Sequence, residues 1–168
     1  MRVAKIEYES INNGPGVRVV VWCQGCSIQC PGCQNKATWD PCGGEQFTSF
    51  DVTRIMKELE NPYIQGITFS GGHPLEEYNL LDVICLMKGI RATFDNKDIW
   101  LYTGKELTYE DIISDTDLGY CLRLCDVVID GPYIEELRDI TLPYRGSSNQ
   151  RLIDIKKSMS ENKIVNFS

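Results

Sequence analysis

No apolar run in this 168-residue chain approaches the ~20 residues that span a bilayer as a helix, so a membrane-spanning helix is not expected. No basic start leads into an apolar stretch, and a secretory signal is therefore not expected. A reducing, cytoplasmic setting follows as the expectation, and it disfavours disulfides. Basic excess is missing too: 24 acidic residues outnumber 17 Lys and Arg, for a net charge of −7. Nucleic-acid binding normally needs a basic face, so it is not expected here. There is a single histidine, His73. Internal repeats, low-complexity tracts and linkers are absent, which predicts one domain over residues 1–168. The length falls short of the ~250 residues of a closed eight-stranded barrel.

Cysteine, in contrast, is concentrated. Residues 23 to 33 read Cys-Gln-Gly-Cys-Ser-Ile-Gln-Cys-Pro-Gly-Cys, directly after the apolar run Val17 to Trp22. Cys26-x3-Cys30-x2-Cys33 places three thiols on a tight loop, where each can grip one iron of a cubane cluster. One iron would then lack a protein ligand and stay open to a substrate or cofactor. Cys23-x2-Cys26 with Cys30-x2-Cys33 equally suits a four-thiolate zinc knuckle. Spacing alone leaves both readings open, with disulfides third. Up to Trp39 the chain carries four basic residues against two acidic, so the cysteine end is mildly positive.

Strand and helix patterns alternate along the chain. Val3 to Glu9 and the β-branched run Val17 to Cys23 read as strands, joined by the turn Asn13-Gly14-Pro15-Gly16. Thr48 or Ser49 would cap a helix through Glu58. Gly66 to Ser70, Ile99 to Thr103, Asp126 to Asp130 and Arg151 to Ile155 read as further strands. Leu75 to Thr93 and residues 109 to 124 read as helices. Such alternation predicts an α/β fold with parallel strands, and an open, partial TIM-like barrel suits the length. Ligands in such sheets gather at the carboxyl ends of strands. The cysteine loop, Ser70-Gly71-Gly72, Tyr102-Thr103-Gly104 and Asp130-Gly131 all fall there.

Cys26-x3-Cys30-x2-Cys33 after a strand, followed by Ser-Gly-Gly-x-Pro at Ser70 to Pro74, resembles the radical S-adenosylmethionine enzymes. Asn13-Gly14-Pro15-Gly16-x-Arg18 is similar to the opening motif of glycyl-radical activating enzymes. Trp100 to Gly104, Asp130-Gly131-Pro132 and Arg145 to Arg151 resemble those that serve anaerobic (class III) ribonucleotide reductases. The resemblance spans about residues 6 to 155. It implies that Cys26, Cys30 and Cys33 ligate a [4Fe–4S] cluster whose open iron chelates S-adenosylmethionine. It also implies that Ser70, Gly71 and Gly72 hold the methionine end, and that Gly32, Cys33 and Gln34 lie against adenine. Reductive cleavage would give a 5′-deoxyadenosyl radical that takes hydrogen from a glycine Cα of anaerobic ribonucleoside-triphosphate reductase. The implied partners are that reductase and an electron donor such as flavodoxin. No side chain is implied as a catalytic acid or base, because cluster and cofactor carry the chemistry.

The chain departs from the pattern at His73, where the family usually carries an acid, and at Gln34, where it favours an aromatic or histidine. Restoring an acid at position 73 is expected to keep or raise cofactor cleavage. Arg18 reads either as a counter-charge near the cluster or as a surface residue. Tyr102 and Asp130 divide between site and scaffold roles. Cys23, Cys85, Cys121 and Cys125 read as small core hydrophobes, and Cys42 is unassigned. Two other functions suit part of the pattern: a zinc-bound interaction module, and a radical enzyme acting on a small molecule, such as a deazaguanine-forming synthase. The Arg145 to Arg151 segment and the short chain favour a protein substrate.

Overall fold

The computed structural model describes residues 1–168. Strand β1 (Arg2–Ser10) and β2 (Val17–Cys23) are joined by six residues, too few for a crossover, so they pair antiparallel. A two-residue strand, β3 (Glu45–Gln46), pairs with the outer edge of β1. Helix α1 (Ser49–Leu59) then leads to β4 (Ile64–Gly71), which lies parallel to β2. Helix α2 (Glu77–Thr93) leads to β5 (Asp98–Tyr102), parallel to β4. Two short helices, α3 (Tyr109–Ile113) and α4 (Asp117–Leu124), precede β6 (Val127–Asp130), again parallel. The long segment 131–150 contains no crossing α-helix, and β7 (Arg151–Asp154) returns antiparallel beside β6 before α5 (Ile155–Glu161).

The result is one seven-stranded mixed sheet in the order β3-β1-β2-β4-β5-β6-β7. The α/β expectation holds. Its parallel part is confined to β2, β4, β5 and β6, the sheet does not close, and the first and last expected strands run antiparallel. The expected helix over 109 to 124 is two helices, because Thr116 accepts the Gly119 N–H and starts a new one. Thr48, not Ser49, caps α1: it donates its N–H to Asp51, whose own N–H returns to the Thr48 hydroxyl.

Period-two alternation gives the sheet two different faces. Val19, Val21 and Cys23 of β2, with Ile67, Phe69, Ile99, Leu101 and Val128, pack under the helices. Helix α2 contributes Val83, Ile84, Leu86, Met87 and Ile90 to that layer. Fully burying one such side chain stabilises the fold by about 1.5–3 kcal/mol. The opposite face carries Arg18, Thr68, Ser70, Trp100 and Tyr102, and segment 131–150 folds across it, with Tyr144 edge-on to Trp100 at 5.3 Å.

Arg18 corrects both expectations for it. It is fully buried near the amino end of β2, donating to Thr68 Oγ1 at 2.7 Å, to the Pro15 carbonyl at 2.9 Å and to Asp98. It therefore ties strands at the end of the sheet away from the cysteine loop. Cys85 is corrected as well. It lies on the exposed side of α2, whereas Cys23, Cys121 and Cys125 are buried as expected.

Candidate functional site

The carboxyl ends of β2, β4, β5 and β6 open onto one cavity of about 120 Å³. Cys26, Cys30 and Cys33 line it on one side, and Ser70, Gly71, Gly72, Tyr102, Thr103 and Gly131 on the other. The chain reaches this arrangement by turning sharply after β2. Cys23 points back beneath the sheet into the helix-side core, and burial pushes its thiol up to about 12. Cys23 thus lies in the core, outside the cavity that the other three thiols line, which argues against a four-thiolate zinc knuckle.

The loop is pinned by its own backbone. Gly25 donates to the Thr38 carbonyl at 2.7 Å and Cys26 to the Trp39 carbonyl at 3.1 Å. The Gln24 carboxamide donates to the Ala37 and Asp40 carbonyls. Cys33 N–H closes a turn on the Cys30 carbonyl, and Asn35 N–H donates to Cys33 Sγ at 3.3 Å. Amide hydrogen bonds to sulfur tune a cluster's potential. Burial raises the Cys26 thiol, against the lowering effect of the Gln29 and Ile28 amides. All three thiols line the one cavity, each from a different position along the loop. A cubane takes each thiolate on a separate iron, so three cysteines around one cavity suit such a cluster.

The glycine pair faces the thiols. Gly71 has φ +96°, and a Cβ there would lie 2.7 Å from the Cys23 carbonyl oxygen. At Gly72 a Cβ would lie 2.3 Å from the Gly25 carbonyl oxygen. Only glycine allows β4 to press this closely on the cysteine loop. Gly72 N–H donates to the Cys23 carbonyl and His73 N–H to the Gly25 carbonyl, both at 2.8 Å. The Gly72 carbonyl accepts no backbone hydrogen bond from the chain.

This cavity shares Cys33, Asn35, Ser70, Tyr102, Tyr133 and Gln150 with a wider cleft of about 480 Å³ on the helix-free face. Gln34 and Arg145 stand on the cleft wall. Gly32 lines neither space; a Cβ there would meet the Glu135 carboxylate at 2.5 Å. Tyr102 donates to the Tyr144 carbonyl at 2.6 Å and so holds segment 131–150 over the sheet. Asp130 is buried scaffold, accepting from Leu107 N–H at 2.9 Å and pairing with Arg151. Arg145 donates to the Gln150 carbonyl at 2.9 Å while its Nε has no partner.

A family model described as a 4Fe–4S single cluster domain matches residues 12–153. The anaerobic ribonucleoside-triphosphate reductase-activating protein of Escherichia coli K12 is 40% identical over 142 residues, covering 83% of this chain and 90% of that protein. Its namesake from enterobacteria phage T4 is 43% identical over 140 residues, covering 83% and 85%. The chain belongs to the family of anaerobic ribonucleoside-triphosphate reductase-activating proteins. The matched stretch of this activating-protein family contains all three cavity cysteines, the glycine pair and Arg145. The namesake from Vibrio cholerae, 37% identical over 140 residues, covers 82% of the chain and 88% of its own length.

One further group, which the sequence pattern does not single out, joins the site. Glu76, at the N-cap of α2, accepts the Ser27 N–H at 2.8 Å, the Ser27 hydroxyl at 2.6 Å and His73 Nδ1 at 3.2 Å. An acid three residues after His73, at the start of a helix, was the available signal. An acid at position 73 would face the Glu76 carboxylate, which argues against the expected gain in cofactor cleavage.

Proposed function

We propose that this chain is a radical S-adenosylmethionine enzyme that installs a glycyl radical on an anaerobic ribonucleoside-triphosphate reductase. Cys26, Cys30 and Cys33 hold its [4Fe–4S] cluster, and Ser70, Gly71 and Gly72 receive the methionine end of S-adenosylmethionine. Cys33 and Gln34 border the adenine, and Gly32, with its positive φ, shapes the turn that presents them. When bound, cluster and cofactor supply a one-electron reductive cleavage yielding a 5′-deoxyadenosyl radical, which takes a hydrogen atom from a glycine Cα of the reductase. The four-stranded parallel part of the sheet serves as an open, partial TIM-like barrel, and residues 1–168 act as one domain. An electron donor such as flavodoxin supplies the reductant, in the cytoplasm.

What the chain itself does is bind, orient and enclose. The thiols and glycine pair fix the cofactor between two backbone segments that touch each other, so the reacting carbon is held in one place. Segment 131–150 roofs the helix-free face and limits water there. A glycine on a partner protein carries no side chain to obstruct entry to the cleft beside Arg145. The single observation that carries this reading is the convergence of three thiols and a glycine pair on one cavity that opens into a larger cleft. The test is anaerobic reconstitution with iron and sulfide, followed by chromatography of 5′-deoxyadenosine after adding S-adenosylmethionine and a reductant. The reading expects a brown protein that forms deoxyadenosine and methionine in equal amounts. A colourless protein carrying zinc would overturn it.

A further inference from the structure

Beneath the cavity runs a chain of side-chain hydrogen bonds that crosses from the end of β5 to the cysteine loop. His73 is buried, with Nδ1 3.2 Å from Glu76 Oε1 and Nε2 2.8 Å from Thr103 Oγ1. The direction of each bond follows from chemistry. An ionised carboxylate only accepts, so Nδ1 carries the proton and donates it to Glu76. Burial lowers His73 against the raising effect of Glu76, which keeps the ring neutral at pH 7. Nε2 is then the acceptor, and the Thr103 hydroxyl donates to it while accepting the Lys105 N–H at 3.1 Å.

Burial pushes Glu76 up, but the Ser27 hydroxyl and N–H together with His73 outweigh it and hold the carboxyl below its usual range. Glu76 thus stays ionised and grips Ser27, the residue next to Cys26, from the far side of the glycine pair. The His73 carbonyl meanwhile accepts from buried Asn79 at 3.1 Å, whose amide also holds the Gln24 carbonyl at 3.0 Å. Both sides of Cys26 are therefore fastened to the segment that follows Gly71 and Gly72.

We propose that His73 and Glu76 are a positioning pair that fixes the cysteine loop against the glycine pair and thereby sets how tightly S-adenosylmethionine is held. The proposal rests on the function argued above, since it needs a cofactor spanning those two segments. The pair lies outside the cavity lining and does not touch the reacting atoms. His73 has the acid's place in the motif, and the negative charge stands instead three residues later on Glu76. A histidine at 73 and an acid at 76 are then a matched set.

The test is equilibrium binding of S-adenosylmethionine to the anaerobically reconstituted protein, with iron content and the electron paramagnetic resonance of the reduced cluster recorded in parallel. His73→Leu leaves the Glu76 carboxylate short of one donor and frees Thr103. It should weaken binding about tenfold, the effect of losing one charge-assisted hydrogen bond, with iron content retained. It should also diminish the change that the cofactor causes in the cluster signal. His73→Asn, whose amide sits where Nδ1–H was, should restore most of the affinity. Ser27→Ala removes one exposed hydroxyl and leaves the fold intact, so it carries the test if His73→Leu does not fold. It should weaken binding about threefold, a smaller effect because the Ser27 N–H still holds the Glu76 carboxylate.

Unchanged affinity and cluster signal in both His73→Leu and Ser27→Ala would overturn the proposal. Equal weakening in His73→Leu and His73→Asn would overturn it too, because the Nδ1 donor would then be irrelevant. Failure of the unmodified protein to bind S-adenosylmethionine at all would instead overturn the proposed function.

Discussion

Gly72→Ala perturbs the site by a known amount. The added Cβ would lie 2.3 Å from the Gly25 carbonyl oxygen and 2.9 Å from that of Thr38. Ordinary carbon–oxygen contacts are about 3.3 Å, so the glycine segment or the cysteine loop must retreat by about 1 Å. Both neighbours are backbone atoms fastened by hydrogen bonds, which excludes relief by a side-chain rotation. Overpacking of this kind costs about 1–3 kcal/mol, and lowers the melting temperature by about 2–4 °C for each kcal/mol in a chain of this size. Function should suffer more than stability. A displacement of about 1 Å between groups that share a substrate costs on the order of 100-fold in rate. The assay is deoxyadenosine formation at saturating reductant, with iron content and melting measured on the same sample. Gly89→Ala is the control. It sits within α2 with no atom within 4 Å of its added Cβ, so it should stabilise the helix by about 0.5–1 kcal/mol and leave cleavage unchanged. Cleavage by Gly72→Ala at the unmodified rate would refute the close approach of the two segments.

Alanine at Cys26, Cys30 or Cys33 should each abolish cofactor cleavage and greatly reduce iron content, because three ligands leave no spare. Cys23→Ala should keep its iron and lose about 1 kcal/mol from trimming a packed core thiol; iron loss equal to the other three would restore the four-thiolate site. Arg145→Ala should weaken glycyl-radical formation on the reductase more than uncoupled cofactor cleavage, and equal losses by electron paramagnetic resonance and chromatography would move Arg145 to cofactor binding. Burial pushes Asp126 up, but Lys156, Arg91 and the Ile99 N–H outweigh it and hold its carboxyl below the ordinary value. A depressed folded pKa stabilises above the unfolded value of about 3.9, and the gain is lost as pH falls through the folded value. Asp126→Asn should therefore lower the denaturation midpoint at pH 7 and flatten the acid limb of the stability curve, and an unchanged acid limb would contradict this.

The site was largely legible because its chemistry is local in sequence. Three cysteines within eight residues and a glycine pair at a strand end needed only the rule that ligands gather at strand carboxyl ends. Strand direction was not legible. Val3 to Glu9 looks the same whether paired parallel or antiparallel, and only the six-residue link to β2 decides it. Cys85 looked like core because its neighbours Ile84 and Leu86 are apolar, yet helical spacing turns it outward between them. Arg18 was misread because a charge in a β-branched run suggests a function or a surface. Its partners Thr68 and Asp98 lie 50 and 80 residues away, on strands that meet it only in the folded sheet. Glu76 was missed for the same reason, since its partner Ser27 lies 49 residues away.

The most direct measurement mixes the reconstituted protein, S-adenosylmethionine, a one-electron reductant and an anaerobic ribonucleoside-triphosphate reductase, and records the electron paramagnetic resonance spectrum of the reductase. A glycyl-radical doublet should appear, should require S-adenosylmethionine, and should vanish with Cys30→Ala. Cofactor cleavage without any doublet on the reductase, under conditions where the Escherichia coli relative produces one, would contradict the account.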